Sequence, residues 1–519
     1  IGSMKMLGRF TTRCFFGLGL VLTTVGGCSP EQHKQDADKE VYQIIDEKWQ
    51  DHFPSRANYT ISDVPPCPND VQIPEYRPDH AITLTEAVAL ATAQNRTYQT
   101  QKENLYLQAL NLTLARHEFN PQFFGILGGS YNRNAADESV SADSRFGFNQ
   151  LLAEGTNISV SIANDWMRFL TGDPRQSLGS LLTASFAQPL LRGSRREIIQ
   201  ENLTQAERDT LYELRSFNRF RKTFVVGMIN DYYSVLEALD QVENAKNNYQ
   251  RLSIAYEQLK MLGEAGRQKS FEVDQAEQSK LSAWDNYVST QESYKQVLDQ
   301  FKIKLALPTD ADVVLDPNEM RALERQDISD PNYPLEEAME LALQERLDLA
   351  NDRDQVADAE RKVMVAEDNL AAALDLVGSA NVDSTPPSRM GRMRFHEGDY
   401  SLGLDMDLPL ERKAERNAYR TALITLSRQQ RAYELAIDEV KLTVRQSYRD
   451  LREAASRHKI QQLSLDLALK RVESTKMLLD AGRSTTRDLL ESERALLDAQ
   501  NARTSALVTY TIAKLRFFL

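Results

Sequence analysis

Residues 400–408 read YSLGLDMDL, and this stretch decides the fold. Apolar side chains stand at every even-numbered position, and polar residues or glycine stand at every odd-numbered one. A period of two places alternate side chains on opposite faces of a β-strand, so the stretch predicts a strand with one apolar and one polar face. The same alternation occurs near residues 123–131, 158–162 and 178–188, and another strand candidate runs from 374 to 382. Both a half-buried soluble sheet and a membrane barrel produce this pattern.

Long helical patterns flank the predicted strands. Apolar residues recur with a helical period in two stretches of about 70 residues, roughly 194–262 and 411–479. Shorter helices of about 35 residues are predicted at roughly 84–117, 270–305, 335–371 and 486–517. A 70-residue helix is about 105 Å long, and two 35-residue helices placed end to end match it. Such matched lengths favour the wall of a tunnel.

The chain repeats this plan of helix, strands, long helix and helix. One constant offset relates two sets of residues: Ala265, Gly266, Glu277, Leu281, Tyr294 and Phe301 correspond to Ala481, Gly482, Glu493, Leu497, Tyr510 and Phe517. We therefore predict a first repeat at 82–305 with strands at about 122–189, and a second repeat at 335–519 with strands at about 373–409. Residues 306–334, which are polar and contain four prolines, join the repeats.

The number of strands limits how the sheet can close. Strands that leave and return to the same helical layer come in even numbers, which gives two per repeat, or four in the first repeat if residues 145–165 form an extra hairpin. Four strands cannot close a barrel, and an open sheet edge is not tolerated in lipid. Membrane-spanning strands would therefore require an oligomer, and three copies of four strands would give a barrel of about twelve.

The N-terminal region has the pattern of a targeting signal. Basic residues near the start precede an apolar stretch, and residues 25–28 read VGGC, which resembles a bacterial lipobox. We predict a lipoprotein signal peptide at residues 1–28 with lipidation at Cys28, the alternative being an ordinary signal peptide with an incidental cysteine. Residues 29–81 are predicted to form an extended, proline-rich strap with one short helix near 41–49. Cys67 lies in this strap, and its role is open.

Composition excludes several classes of function. A net charge of −13 argues against a nucleic-acid partner, because phosphate binding needs a basic face. The sequence holds no cysteine or histidine cluster with metal-ligand spacing, no phosphate-binding glycine loop and no nucleophile motif. We therefore expect neither an enzyme nor a cofactor or metal site.

Three short motifs make the chain resemble the TolC-like outer-membrane factors, and the predicted lipid anchor at Cys28 resembles the lipoprotein branch of that family. The motifs are QPLLRG at 188–193, LPL at 408–410, and LDQFK at 298–302 followed by LALP at 305–308. The resemblance covers about 82–519. It implies a mainly α protein with a transmembrane β-barrel, a trimeric α/β-barrel built from a duplicated plan. It also implies strand-to-helix junctions at Pro189, Gly193 and Pro409, where proline ends the strand and starts the helix.

The resemblance further implies two functional regions at the periplasmic end. Helical hairpin tips at 262–269 and 479–486 would contact an adaptor protein, through Gly263, Gly266, Arg267, Ala481, Gly482 and Arg483. Rings of acidic side chains would form a gate, from Asp488, Glu491 and Glu272. The alternatives are that the glycines only permit the turns and that the acids belong to a solvated helix face. Ser484 stands where the family has an arginine, so a latch that depends on that arginine is in doubt.

By this resemblance, the protein is an outer-membrane exit duct of a tripartite efflux or type I secretion system. It would be a lipid-anchored homotrimer in the outer membrane with a long periplasmic portion, working with a periplasmic adaptor and an inner-membrane pump. The alternative is a periplasmic coiled-coil adaptor or scaffold lipoprotein without a pore. The sequence leaves open the cargo, the pump, the resting state of the gate and the role of the loop at 383–398.

Overall fold

The computed structural model describes residues 29–54, 57–61, 81–133, 137–169, 176–325, 334–384, 392–408 and 410–519. The chain divides into two compact units. The first comprises the described residues of Ile1–Thr60, Asn104–Leu214 and Asp368–Glu411. The second comprises those of Ile61–Glu103, Arg215–Glu367 and Arg412–Leu519.

A sheet of six described strands lies in the first unit. The strands are β1 (Gln122–Arg133), β2 (Glu138–Leu151), β3 (Asn157–Phe169), β4 (Gln176–Pro189), β5 (Ala373–Asp383) and β6 (Asp399–Asp407). Their order in the sheet is their order in the chain, and every neighbouring pair is antiparallel. The first repeat therefore contributes four strands and the second repeat two, which settles the number that the sequence left open.

Helices make up most of the remaining structure. They are α1 (Pro30–His52), α2 (Leu84–Gln94), α3 (Arg96–His117), α4 (Arg196–Ile199), α5 (Glu201–Glu264), α6 (Ser270–Lys304), α7 (Asn318–Glu324), α8 (Leu335–Glu345), α9 (Leu347–Asp368), α10 (Lys413–Asp480) and α11 (Thr486–Phe517). A 3-10 turn spans Phe395–Glu397. The paired helices of the two repeats have matched lengths: α2 and α8 have 11 residues each, and α3 and α9 have 22 each.

Helix α1 occupies much of the region predicted to be an extended strap, and it is longer than the short helix predicted there. Its start is a capping box, in which the Ser29 hydroxyl accepts from the Gln32 backbone and the Gln32 side chain accepts from the Ser29 backbone. One face of the helix is buried through Val41, Ile44, Ile45 and Trp49, at the spacing of an amphipathic helix. Residues 1–28, where the signal peptide and the lipidation of Cys28 were predicted, lie outside the described residues, and so does Cys67.

The main core of the second unit surrounds Tyr232 of α5, which is fully buried. Its hydroxyl donates to the Ile82 carbonyl at 2.9 Å, so a buried donor and a buried acceptor satisfy each other. Ile82 also forms a parallel bridge with Leu315 of the segment that joins the repeats. Leu305 and Leu315 of this region are fully buried in the same core. The joining segment is therefore an integral part of the second unit.

Two predicted helices are each interrupted once. The 84–117 helix is broken at Asn95, and the 335–371 helix is broken at Arg346. At the first break the Asn95 side chain accepts from the Tyr98 backbone and donates to the Lys304 carbonyl at 2.8 Å. The long helix predicted from about 194 begins at Glu201, after the short α4. The other predicted helices agree with the structure to within a few residues.

Candidate functional site: a two-faced sheet and two helical hairpin tips

The register of the sheet collects apolar side chains on one face. Residues directly opposite each other in an antiparallel pair project to the same side, so the face can be followed from strand to strand. Its apolar members include Phe123, Leu127, Phe146, Phe148, Val160, Ile162, Leu182, Phe186, Leu374, Leu376, Leu402, Leu404 and Met406. Three polar residues on this face bond to one another: Asn164 donates to Ser144, and Ser180 donates to Asn164. The face therefore presents few unsatisfied polar groups.

The opposite face is mostly polar and acidic, and its large apolar exceptions include Phe124, Ile126, Leu151, Met167, Leu181 and Val377. In the described strands it carries seven aspartates and one arginine: Asp143, Asp165, Asp375, Asp383, Asp399, Asp405, Asp407 and Arg145. A pocket on this face is lined by Asn149, Asn157, Ser159, Ser185, Ser379 and Ser401 among others. The excess of aspartates on the polar face favours cations over anions.

The junction after β4 depends on a buried carboxylate. Pro189 is the last residue of β4, as predicted, but the next helix starts only at Arg196, so the proline does not start it. Between them Gly193 has a φ of 73° and donates its backbone N–H to Asp368 Oδ2 at 2.7 Å. Asp368 also pairs with Arg195 at 3.4 Å. Pro409, the corresponding residue of the second repeat, lies outside the described residues.

The two hairpin tips have the same backbone geometry. In the first, the Gly266 N–H bonds to the Gly263 carbonyl and the Arg267 N–H bonds to the Leu262 carbonyl. The second tip repeats these bonds, from Gly482 to Leu479 and from Arg483 to Leu478. This paired arrangement is a Schellman motif, which requires a left-handed residue after the helix.

Glycine supplies that conformation at both tips, with φ values of 70° at Gly266 and 69° at Gly482. Gly263 has a different constraint, because a Cβ there would lie 3.0 Å from the Val273 side chain across the hairpin. Arg267, Ala481 and Arg483 are exposed. The six residues predicted for adaptor contact therefore lie at the two turns: Gly266 and Gly482 are the left-handed residues, Arg267, Ala481 and Arg483 are next to them in the chain, and Gly263 lies three positions before Gly266.

Asp488 lies in the first turn of α11 and takes part in the cap of that helix. Its carboxylate accepts from the Thr485 backbone at 2.9 Å, from the Thr485 hydroxyl at 2.7 Å and from the Ser484 hydroxyl at 3.1 Å. The Thr485 hydroxyl accepts from the Asp488 backbone in return, which completes a capping box. Hydrogen bonds from the side chain and backbone of Thr485, and from Ser484, hold the pKa of Asp488 below its ordinary value. Asp488 is therefore an exposed, ionised carboxylate at the tip.

Glu491, one turn further along α11, is also exposed, and its carboxylate pairs with Arg471 of α10 at 2.9 Å. The pair is on the surface, where water and salt weaken it. Sequence reasoning named Glu491 but missed Arg471, because the two are 20 positions apart and only the hairpin brings them together.

Glu272 belongs to a different contact. Its Oε2 accepts from the Thr486 hydroxyl at 3.0 Å and from the Gln268 amide, and Gln268 also donates to Thr486. This network ties the first tip to the start of α11. Neither Gln268 nor Thr486 was predicted, although Thr485 and Asp488 have the spacing of a capping box, which would have indicated where α11 begins. Glu272 is thus already engaged within the chain, and it does not lie on the exposed face of Asp488 and Glu491.

Further along, polar contacts join α5 to α11. Arg251 Nε lies 2.6 Å from Glu493 Oε2, and Glu493 is buried. The Thr504 hydroxyl donates to Asp240 at 2.6 Å, and burial raises the pKa of Asp240. These paired polar groups fix the register of the two helices.

The described residues lack two features. No helix among them is both long and apolar enough to cross a membrane. Nor do the described residues contain three or more histidine, cysteine, aspartate or glutamate side chains grouped so that they could hold a metal ion.

Part of the chain matches a known protein family. Residues 338–517, within the second repeat, match the family model described as outer membrane efflux protein. No curated protein matches the chain in sequence.

The fold is that of outer-membrane channels of the TolC type. The chain is similar to the channel-forming protein CusC, with a TM-score of 0.60 and 13% identity over 89% of this chain and 98% of CusC. It is similar to VceC, an outer membrane protein of Vibrio cholerae, with a TM-score of 0.61 and 12% identity over 84% and 95%. For the Campylobacter jejuni outer membrane channel CmeC the TM-score is 0.59 and the identity 15%, over 84% of each chain. The predicted resemblance and the predicted fold class are confirmed.

Proposed function

We propose that the protein is an outer-membrane exit duct, a passive conduit that carries cargo from a periplasmic pump and adaptor to the exterior. The observation that carries the proposal is the two-faced sheet, and the match of residues 338–517 to the outer membrane efflux protein model supports it. The alternative, a periplasmic scaffold without a pore, leaves this sheet unexplained.

The apolar side chains of the sheet's apolar face are too exposed for a surface that contacts water. Phe123 is 80% exposed, Leu402 73% and Leu404 66%. A soluble protein rarely leaves such a broad apolar surface uncovered, whereas lipid covers it without cost. The polar, acidic face would then line the lumen and favour cations. The chain would act as a homotrimer, anchored by lipid at Cys28.

The exposed acids near the second tip are proposed to form the periplasmic gate. In a trimer Asp488 and Glu491 would each make a ring of three like charges, which repels anions and attracts cations. Arg471 moderates the Glu491 ring, because the pair cancels charge at short range. The exposed arginines at the tips, Arg267 and Arg483, would offer hydrogen-bond donors to the periplasmic adaptor.

Single-channel currents in planar bilayers test both the proposed duct and its proposed gate. We expect Glu491→Gln to lower the preference for cations and Arg471→Gln to raise it, since the second change frees the carboxylate. Glu292→Gln is a matched control, because Glu292 is an exposed glutamate on α6, 20 positions and about 30 Å along that helix from Glu272.

The outcomes distinguish failure of the proposed gate from failure of the proposed duct. If the ion preference is the same as wild type in both the Glu491 and the Arg471 variants, the proposed gate is wrong and the proposed duct is unaffected. If the purified oligomer conducts no current under any condition, the duct itself is wrong and the scaffold alternative stands.

A further inference from the structure

The sheet has two open edges. β1 and β6 are the outer strands, and neither has a partner on its outer side among the described residues. The strands contain 12, 14, 13, 14, 11 and 9 residues in chain order. A tilted transmembrane strand needs about 9–11 residues, so every one of the six is long enough.

Both edge strands contribute exposed side chains to the apolar face. All nine residues of β6 are exposed, and on β1 the side chains of Phe123, Leu127 and Tyr131 are more than half exposed. The face that would meet lipid is therefore continuous from one edge to the other. In lipid the free N–H and C=O groups of an edge have no water to bond, so both edges must be paired.

Six strands are too few to close on themselves, since the smallest membrane barrels have eight. An even number of antiparallel strands gives β1 and β6 opposite directions. β6 of one copy can therefore pair with β1 of the next, and every pair around the ring stays antiparallel. Second and third copies of this chain are the partners that these edges fit.

We infer that all six strands of each protomer enter one shared barrel, which in the trimer has eighteen strands. This inference rests on the trimer of the proposed function and adds the size of its pore. With strands about 4.8 Å apart and tilted by about 40°, eighteen strands give a backbone diameter of about 36 Å. Twelve strands would give about 24 Å by the same geometry. The duct thus suits bulkier cargo at the outer membrane than a barrel with two strands per repeat would.

The β2–β3 hairpin accounts for the difference between twelve and eighteen strands. Without it β1 and β4 would form a two-stranded unit, matching the β5–β6 unit of the second repeat. Arg133 pairs with Glu138 at the end of the β1–β2 hairpin. Removing residues 138–175 would put Gln176 in the place of Glu138, and an even number of residues is lost, so the alternation of the two faces is kept.

Electron cryo-microscopy of the full-length oligomer in lipid nanodiscs tests the inference directly. We expect a trimer whose barrel has eighteen strands. The deletion of 138–175 should give a trimer with twelve strands and a diameter smaller by about a third, because the β6–β1 seam between protomers is untouched.

The wild-type protein alone can overturn the inference, whether or not the deletion variant folds. A wild-type trimer with twelve strands would mean that one hairpin lies outside the barrel, and a dimer with twelve would refute the number of copies. In both cases the exit duct would survive. An oligomer with no barrel would refute the inference and the proposed function together.

Discussion

Replacing Gly482 by alanine should loosen the second hairpin tip. No atom lies within 4 Å of the position that a Cβ would take there, so space is not the obstacle. The obstacle is the φ of 69°, which costs a residue with a Cβ about 1–2 kcal/mol. Alanine also improves the helix intrinsically, but Gly482 lies beyond the end of α10 and gains nothing from that.

Gly227 provides a control with the opposite sign. It is exposed within α5 and also has open space around it, but its backbone is helical. Gly227→Ala should therefore stabilise the helix by about 0.5–1 kcal/mol. The two variants make the same chemical change, and only the backbone conformation differs.

Hydrogen–deuterium exchange followed by mass spectrometry measures both effects where they occur. In Gly482→Ala, amides of residues 477–483 should exchange about 5- to 30-fold faster, the factor that corresponds to 1–2 kcal/mol. In Gly227→Ala, amides around residue 227 should exchange more slowly. Unchanged exchange at the tip of Gly482→Ala, or faster exchange in Gly227→Ala, would refute the assignment of a strained left-handed turn.

Three further changes have defined outcomes. Asp488 has a lowered pKa, so its capping contribution is present above its ordinary pKa of 3.8 and is lost as the pH falls through the lowered value. Exchange at 486–489 should be faster in Asp488→Asn than in wild type at pH 6, and the difference should shrink as the pH falls below 3.8. Tyr232→Phe removes one of two donors to the Ile82 carbonyl, which keeps the Asp316 N–H at 3.1 Å. The loss of one bond, about 0.5–1.5 kcal/mol, should lower the urea midpoint of the purified oligomer, whereas an unchanged midpoint would mean that the bond contributes nothing. Asp368→Ala removes the acceptor of the Gly193 N–H, which should lower the temperature at which oligomers dissociate on heated gels; equal temperatures would contradict a structural role for the junction.

The sequence predicted the two faces of β6 because a period of two is a local property of the chain. It did not decide whether the first repeat has two strands or four. Residues 138–145 read ESVSADSR, with few apolar side chains to mark one face. They form a strand because they pair with β1 and β3, and the register of that pairing depends on tertiary structure.

The breaks in the predicted helices have a similar cause. Asn95 accepts from the Tyr98 backbone, as a helix N-cap does, but its second bond goes to the Lys304 carbonyl, more than 200 positions away. At the tips, the sequence placed the glycines correctly because left-handed turns demand them. It placed Asp488 and Glu491 on one face, but the partners of these carboxylates depend on geometry that spacing alone does not contain.

The central claim is that the apolar face of the sheet meets lipid and the polar face meets water. Adjacent residues of β6 test it most directly, since Leu404 and Asp405 are both exposed and lie on opposite faces. A fluorophore attached to a cysteine at each position, in separate variants reconstituted into liposomes, can be challenged with a lipid-borne and an aqueous quencher. The account predicts lipid-borne quenching at 404 and aqueous quenching at 405. Aqueous quenching at both positions would contradict it.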